Sequence, residues 1–63
     1  MKTGIVKFFN TEKGFGFIKD DESKKDIFVH KSNLNDPIRE DDAVSYEVEE
    51  GPRGLNAVNV SRR

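Results

Sequence analysis

Between Lys13 and Asp20 the chain reads KGFGFIKD. Successive side chains of an extended strand take opposite faces, so Phe15 and Phe17 share one side while Gly16 and Ile18 share the other. The stretch DIFVH, Asp26–His30, sorts in the same way, with Ile27 and Val29 on one side and Phe28 and His30 on the opposite one. A small barrel fills its interior with compact aliphatic side chains. Ile18, Ile27 and Val29 meet that need, joined by Val6, Val44, Tyr46, Val48 and either Val58 or Val60. Phe15, Phe17, Phe28 and His30 then face outward as a two-by-two patch, roughly 7 Å along each strand and about 5 Å across. The reversed register would expose Ile18, Ile27 and Val29, a larger apolar loss. Gly16 takes no space in the core and lets the strand coil.

Short β-branched and aromatic runs separated by turn residues extend this pattern along the 63 residues. They predict five strands, at Lys2–Asn10, Phe15–Asp20, Lys25–His30, Ala43–Glu50 and Leu55–Ser61. TEKG (Thr11–Gly14) and DESK (Asp21–Lys24) are polar and short enough for hairpins. GPRG (Gly51–Gly54) supplies two glycines and a proline for a reversal. The segment Asn33–Asp42 contains Pro37 and is too polar to bury a helical stripe. An all-β, five-stranded antiparallel barrel follows, because curling the sheet removes its edges and encloses one core. The terminal Ser61–Arg63 is expected to fray.

Composition narrows the function classes. A chain this short makes one domain, residues 1–63, of modest stability. No cysteine is present, which excludes disulfides and Cys-ligated zinc. No apolar run approaches the roughly 20 residues of a membrane span, and the N-terminus does not read as a signal peptide, so a cytoplasmic protein is expected. His30 is the single histidine, which removes paired-His metal and catalytic chemistry. The runs Asp20–Glu22 and Glu40–Asp42 read as solvated loops and lack EF-hand spacing. No enzyme, cofactor, metal or small-molecule substrate is therefore expected.

Net charge is −1, yet it is unevenly spread. Residues 1–31 carry seven lysines against five acids, and residues 32–63 carry four arginines against seven acids. The lysines thus accompany the phenylalanines. Exposed aromatic clusters mark binding surfaces, and nucleobases stack on them with little sequence demand. Lys7, Lys13, Lys19 and Lys31 can meet phosphates, each contact adding salt-sensitive affinity. Glu12 and Asp26 either repel duplex backbones or accept hydrogen bonds from bases, two roles the sequence leaves open.

GIVKFFN (Gly4–Asn10), KGFGFI (Lys13–Ile18), DIFVH (Asp26–His30) and the tail pattern G-x-R-G-x-x-A-x-N-V (Gly51–Val60) together resemble the cold-shock domain. The resemblance spans nearly the whole chain in order. It implies an oligonucleotide/oligosaccharide-binding (OB-fold) barrel that binds single-stranded RNA and DNA as a bacterial RNA chaperone, antiterminator or translational regulator. By position it assigns stacking to Phe8, Phe15, Phe17, Phe28 and His30, and polar contacts to Lys7, Lys13, Asp26 and Arg53. Three departures stand out. Phe8 occupies a position where the family usually has tryptophan. Lys31 replaces an aromatic, as either a phosphate contact or a solvated charge. The loop around Pro37 and Ile38 is shorter and lacks a phenylalanine of its own. A shorter footprint or weaker binding is expected.

KGFGFI also resembles a motif of the RNA-recognition-motif family, but that fold needs two helices and a later position for the motif. GFG is no dinucleotide fingerprint, since Lys19 stands where the third glycine belongs. Two other functions compete with the RNA chaperone: a protein-interaction barrel using the same face, and a DNA-binding transcriptional regulator. A monomer is expected in each case.

Overall fold

The computed structural model describes residues 1–52 and 54–63. Five strands form, β1 (Lys2–Asn10), β2 (Phe15–Asp20), β3 (Asp26–His30), β4 (Ala43–Gly51) and β5 (Gly54–Arg62), with one 3₁₀ turn at Lys31–Asn33 after β3. They close into a barrel in the order β1-β2-β3-β5-β4, with β4 returning to β1. Every predicted strand is present, within one residue at each end.

One pairing departs from the all-antiparallel expectation. β3 and β5 run parallel through Phe28↔Asn56 and Val29↔Ala57. The physical reason is closure: three meander strands followed by a hairpin leave β3 and β5 as the remaining edges, and an open edge is costly to leave unpaired. The C-terminus does not fray. Arg62 pairs with Val44, and the Arg63 N–H donates to the Ala43 carbonyl at 3.0 Å.

The core consists of Val6, Ile18, Ile27, Val29, Ile38, Val44, Tyr46, Ala57 and Val60, with Phe9, Leu34 and Val48 packed against it. Of the two alternatives on β5, Val60 is the buried one. The polar segment before β4 still contributes to the interior. Ile38 is buried there, and the backbone around it is tied to β1 by Val6 N–H to Asp42 O (2.9 Å) and Asp41 N–H to Val6 O (2.8 Å). Leu34 bridges to Val60 beside it.

A buried tyrosine must satisfy its hydroxyl. The Tyr46 hydroxyl donates to Asp20 Oδ1 at 2.5 Å, and Asp20 Oδ2 accepts from Ser23 N–H at 2.8 Å and Ser23 Oγ at 2.9 Å. Asp20 is consequently buried, which corrects the reading of Asp20–Glu22 as wholly solvated. The Tyr46 bond, followed by the Ser23 backbone bond, holds the Asp20 carboxyl down at about 2. Burial, reinforced by Asp20, pushes the Tyr46 hydroxyl well above its ordinary range.

Candidate nucleic-acid interface

The outer face of β1, β2 and β3 is set by the register of three strands. Phe15 pairs with His30 and Phe17 with Phe28, so the two-by-two patch has the expected arrangement. Phe8 joins it for a reason that alternation alone does not predict. Val6 pairs with Ile18 and Phe8 with Phe17, leaving Lys7 as the extra residue of a bulge. Without the bulge Phe8 would follow Val6 to the interior. With it, Phe8 turns outward beside Phe17, and Phe9 turns inward opposite Gly16. Re-aiming a side chain is a common use of a bulge.

Gly16 has a sharper role than relaxing the strand. A Cβ there would stand 2.2 Å from the Phe8 carbonyl oxygen and 2.7 Å from both Cα and Cδ1 of Phe9. The missing side chain is thus the space into which the bulged strand and the Phe9 ring settle. Sequence, bulge and platform are linked through this one position.

The rings form a connected chain. Phe8 meets Phe15 edge-on at 6.5 Å between centroids, Phe15 lies nearly parallel to Phe28 at 6.0 Å, and Phe28 meets Phe17 edge-on at 5.9 Å. Phe8 and Phe17 are 39% and 37% exposed, whereas Phe15 and Phe28 are half-buried by their neighbours. The pairs brace one another, which keeps the face ordered without burying it.

His30 ends β3 and caps the following turn, its Nδ1 accepting from the Ser32 N–H at 3.2 Å. With Nδ1 so used, the proton of the neutral imidazole resides on Nε2, leaving a donor at the rim of the aromatic face. Lys31 follows directly. Its N–H donates to the Gly14 carbonyl at 2.8 Å, and its methylenes lie where a Gly14 Cβ would be, 2.7 Å from Cδ. Gly14 has φ +76°, so glycine suits both the turn and this close packing. Lys13, whose N–H donates to Asn10 Oδ1 at 3.0 Å, is thereby held at the same end of the face as Lys31 and His30.

At the other end Lys19 stands between Ile5 and Asp26 in register. Lys7 and Asp26 come together there, Nζ to Oδ2 at 3.1 Å, both side chains well exposed. Arg53 lies outside the described residues. Asn56, an unspecified position of the tail pattern, flanks the face: it pairs with Phe28 on one side and Glu49 on the other. Only the parallel closure makes Asn56 a neighbour of Phe28, and no local sequence pattern signals that pairing. Among the described residues no cluster of acidic or histidine side chains has the makings of a metal site. No helix among them is long and apolar enough to cross a membrane.

A family model described as the 'Cold-shock' DNA-binding domain matches residues 2–63. The cold shock-like protein CspJ of Salmonella typhimurium (strain LT2) is 50% identical over 62 residues, covering 92% of this chain and 89% of that protein. The major cold shock protein of Micrococcus luteus is 42% identical over 66 residues, covering 98% of each. The cold shock-like protein CspG of Escherichia coli (strain K12) is 47% identical over 62 residues, covering 92% of this chain and 89% of that protein. Among solved structures, drosophila Unr CSD456 matches 98% of this chain and 26% of its own with a TM-score of 0.82. Its 22% identity makes that a likeness of fold.

Proposed function

Because the chain belongs to the cold-shock domain family, a nucleic-acid-binding family, we propose that its β1–β2–β3 face binds single-stranded RNA and DNA by stacking bases on Phe8, Phe15, Phe17 and Phe28. The observation that carries this reading is the connected chain of four outward rings, with Phe8 and Phe17 more than a third exposed, over a core that is filled without them. His30 adds a further flat surface and a donor at the rim. Lys13 and Lys31 supply phosphate contacts at that end, with Lys7, Lys19 and Arg53 as further cations and Asp26 as the acid beside them. Residues 1–63 act as one cold-shock domain and bind as a monomer.

In this reading the protein is a passive RNA chaperone or a regulator of transcription or translation in the cytoplasm, and the magnitudes bear on the word passive. Stacking a base on an aromatic side chain is worth about 1–3 kcal/mol, close to the roughly 1.4 kcal/mol of an average duplex step. Such a face traps locally melted strands and holds weak hairpins open, and it does not unwind a stable duplex. The chain has no Walker-type phosphate loop to couple ATP to the process. No catalytic step, cofactor, membrane or small-molecule substrate enters this reading. Phe8 in place of a larger ring and Lys31 in place of an aromatic shorten the footprint relative to the family pattern.

The test is a titration of a U- or T-rich single strand and a matched duplex at two salt concentrations. Preference for the single strand, weakening as salt rises, is the expected result. Failure to bind single strands at low salt would refute the proposal.

A further inference from the structure

We infer that Asp41, which lies off the aromatic face, is a positioning residue for Phe8, fixing through its backbone the bulge that turns this ring outward. This role rests on the reading of that face as a single-strand interface. The bulge begins at the Val6–Lys7 peptide, because Val6 still pairs with Ile18 while Phe8, two residues on, already pairs with Phe17. The carbonyl of that peptide accepts from the Asp41 N–H at 2.8 Å. The Val6 N–H in turn donates to the Asp42 carbonyl at 2.9 Å, so Asp41 and Asp42 together oppose Val6. Two residues against one is again a bulge, and its first residue, Asp41, has φ +69°. A peptide group is planar, so holding it fixes the dihedrals on either side, here ψ of Val6 and φ of Lys7. Those two angles aim the side chains that follow, and Phe8 is the next one.

The turn that carries Asp41 is held in place. Asp42 N–H donates to the Arg39 carbonyl at 3.1 Å, and the Asp42 carboxylate accepts from the Arg39 N–H at 2.9 Å. Ile38, the residue before this turn, is buried in the core. Asp41 is the third residue of the turn and has positive φ, whereas Glu40 before it does not. That is the type II form, which requires φ > 0 at this position and favours Gly or Asn there. Aspartate enters the left-handed region at modest cost, and a β-branched residue does not. Lys24 and Asn59 also have positive φ, but the Lys24 N–H bonds to Asp20 and the Asn59 side chain to Glu47, away from β1. The segment that lacks an aromatic platform of its own thus supports Phe8 from the β4 side of β1, as the missing side chain of Gly16 does from β2.

The test compares Asp41→Gly with Asp41→Val, each alone and combined with Phe8→Ala, in binding of a U-rich single strand at low salt. Both substitutions remove the same exposed charge, so the comparison isolates their tolerance of positive φ. Circular dichroism and urea denaturation establish that each variant is folded under the conditions of the titration. Asp41→Gly should bind at least as tightly as the unsubstituted chain, and Asp41→Asn, which also accepts this conformation, should match it. Asp41→Val should bind more weakly than Asp41→Gly, by a factor no larger than the loss that Phe8→Ala causes. For one stacked base that loss is roughly 5- to 150-fold. With Phe8→Ala in both, the two variants should bind alike, because the ring being positioned is gone. A loss from general destabilisation would persist there instead. Equal binding by Asp41→Gly and Asp41→Val would overturn the inference alone, and so would a difference that survives the removal of Phe8. Should Asp41→Val not fold, Asp41→Ala, which lacks the β-branch, takes its place under the same criteria. No binding by the unsubstituted chain, or full binding by Phe8→Ala, would overturn the interface reading at this ring and the inference with it.

Discussion

Replacing Tyr46 by phenylalanine removes one oxygen from the barrel interior and leaves a buried carboxylate short of its main donor. In the native arrangement both Asp20 oxygens are used, Oδ1 by Tyr46 and Oδ2 by Ser23. A hydrogen bond to a charged group contributes about 1.5–3 kcal/mol, so the loss at neutral pH should be about 2 kcal/mol. A scaffold of this size has a total stability of only about 3–5 kcal/mol, so the change is a large share of it. The pH dependence identifies the cause. Asp20 titrates at about 2 in the folded protein against an ordinary value of 3.8. Its contribution is therefore present above 3.8 and is lost as pH falls from there through about 2. Once Asp20 is protonated, the bond at stake joins neutral groups and is worth about 1 kcal/mol. Urea denaturation of both proteins from neutral pH down to about pH 2 should show the gap between them narrowing by roughly half. A gap that stays constant across this range, or no gap at neutral pH, would refute the assigned role of the pair.

Two further substitutions probe how the platform and its support are built. Gly16→Ala should cost about 3 kcal/mol, the upper end for overpacking, because the new methyl meets the Phe8 carbonyl oxygen and the Phe9 backbone, which cannot move without breaking the β1–β2 pairing; thermal melting by circular dichroism should show a sharply lowered midpoint, and an unchanged midpoint would refute the close packing at this position. Ile38→Ala should destabilise by about 2–4 kcal/mol, as for other buried aliphatics, despite its place in a polar loop. A loss below about 1 kcal/mol in urea denaturation would mean that this loop does not contribute to the core.

The alternating segments were the legible part of the fold. Phe15–Asp20 and Asp26–His30 assign their own faces, because any strand with aliphatics on one side and aromatics on the other has only one economical register. In the sequence only the family resemblance places Phe8 on the face, since its outward turn depends on a bulge at Lys7 and on the absent side chain of Gly16, two strands' worth of information. Asp20 looked like the start of an acidic loop because its partner, Tyr46, is distant in sequence. Ile38 was hidden for a related reason: a single apolar residue in a polar stretch has no periodicity to reveal it. The parallel closure of β3 on β5, and with it the placement of Asn56 beside Phe28, follows from satisfying edges of the whole sheet and leaves no local signature.

The central claim is that bases stack on the outward rings, and alanine substitution of those rings tests it most directly. Binding of a short U-rich single strand to Phe15→Ala, Phe17→Ala and Phe28→Ala should be measured over a series of salt concentrations, with folding checked for each. Each variant should lose about 1–3 kcal/mol, roughly 5- to 150-fold in Kd, with little change in salt slope because no phosphate contact is removed. Phe28 touches both Phe15 and Phe17, so paired substitutions should cost less than their separate losses combined. Folded variants that all bind as tightly as the unsubstituted chain would contradict the account and move the interface elsewhere on the barrel.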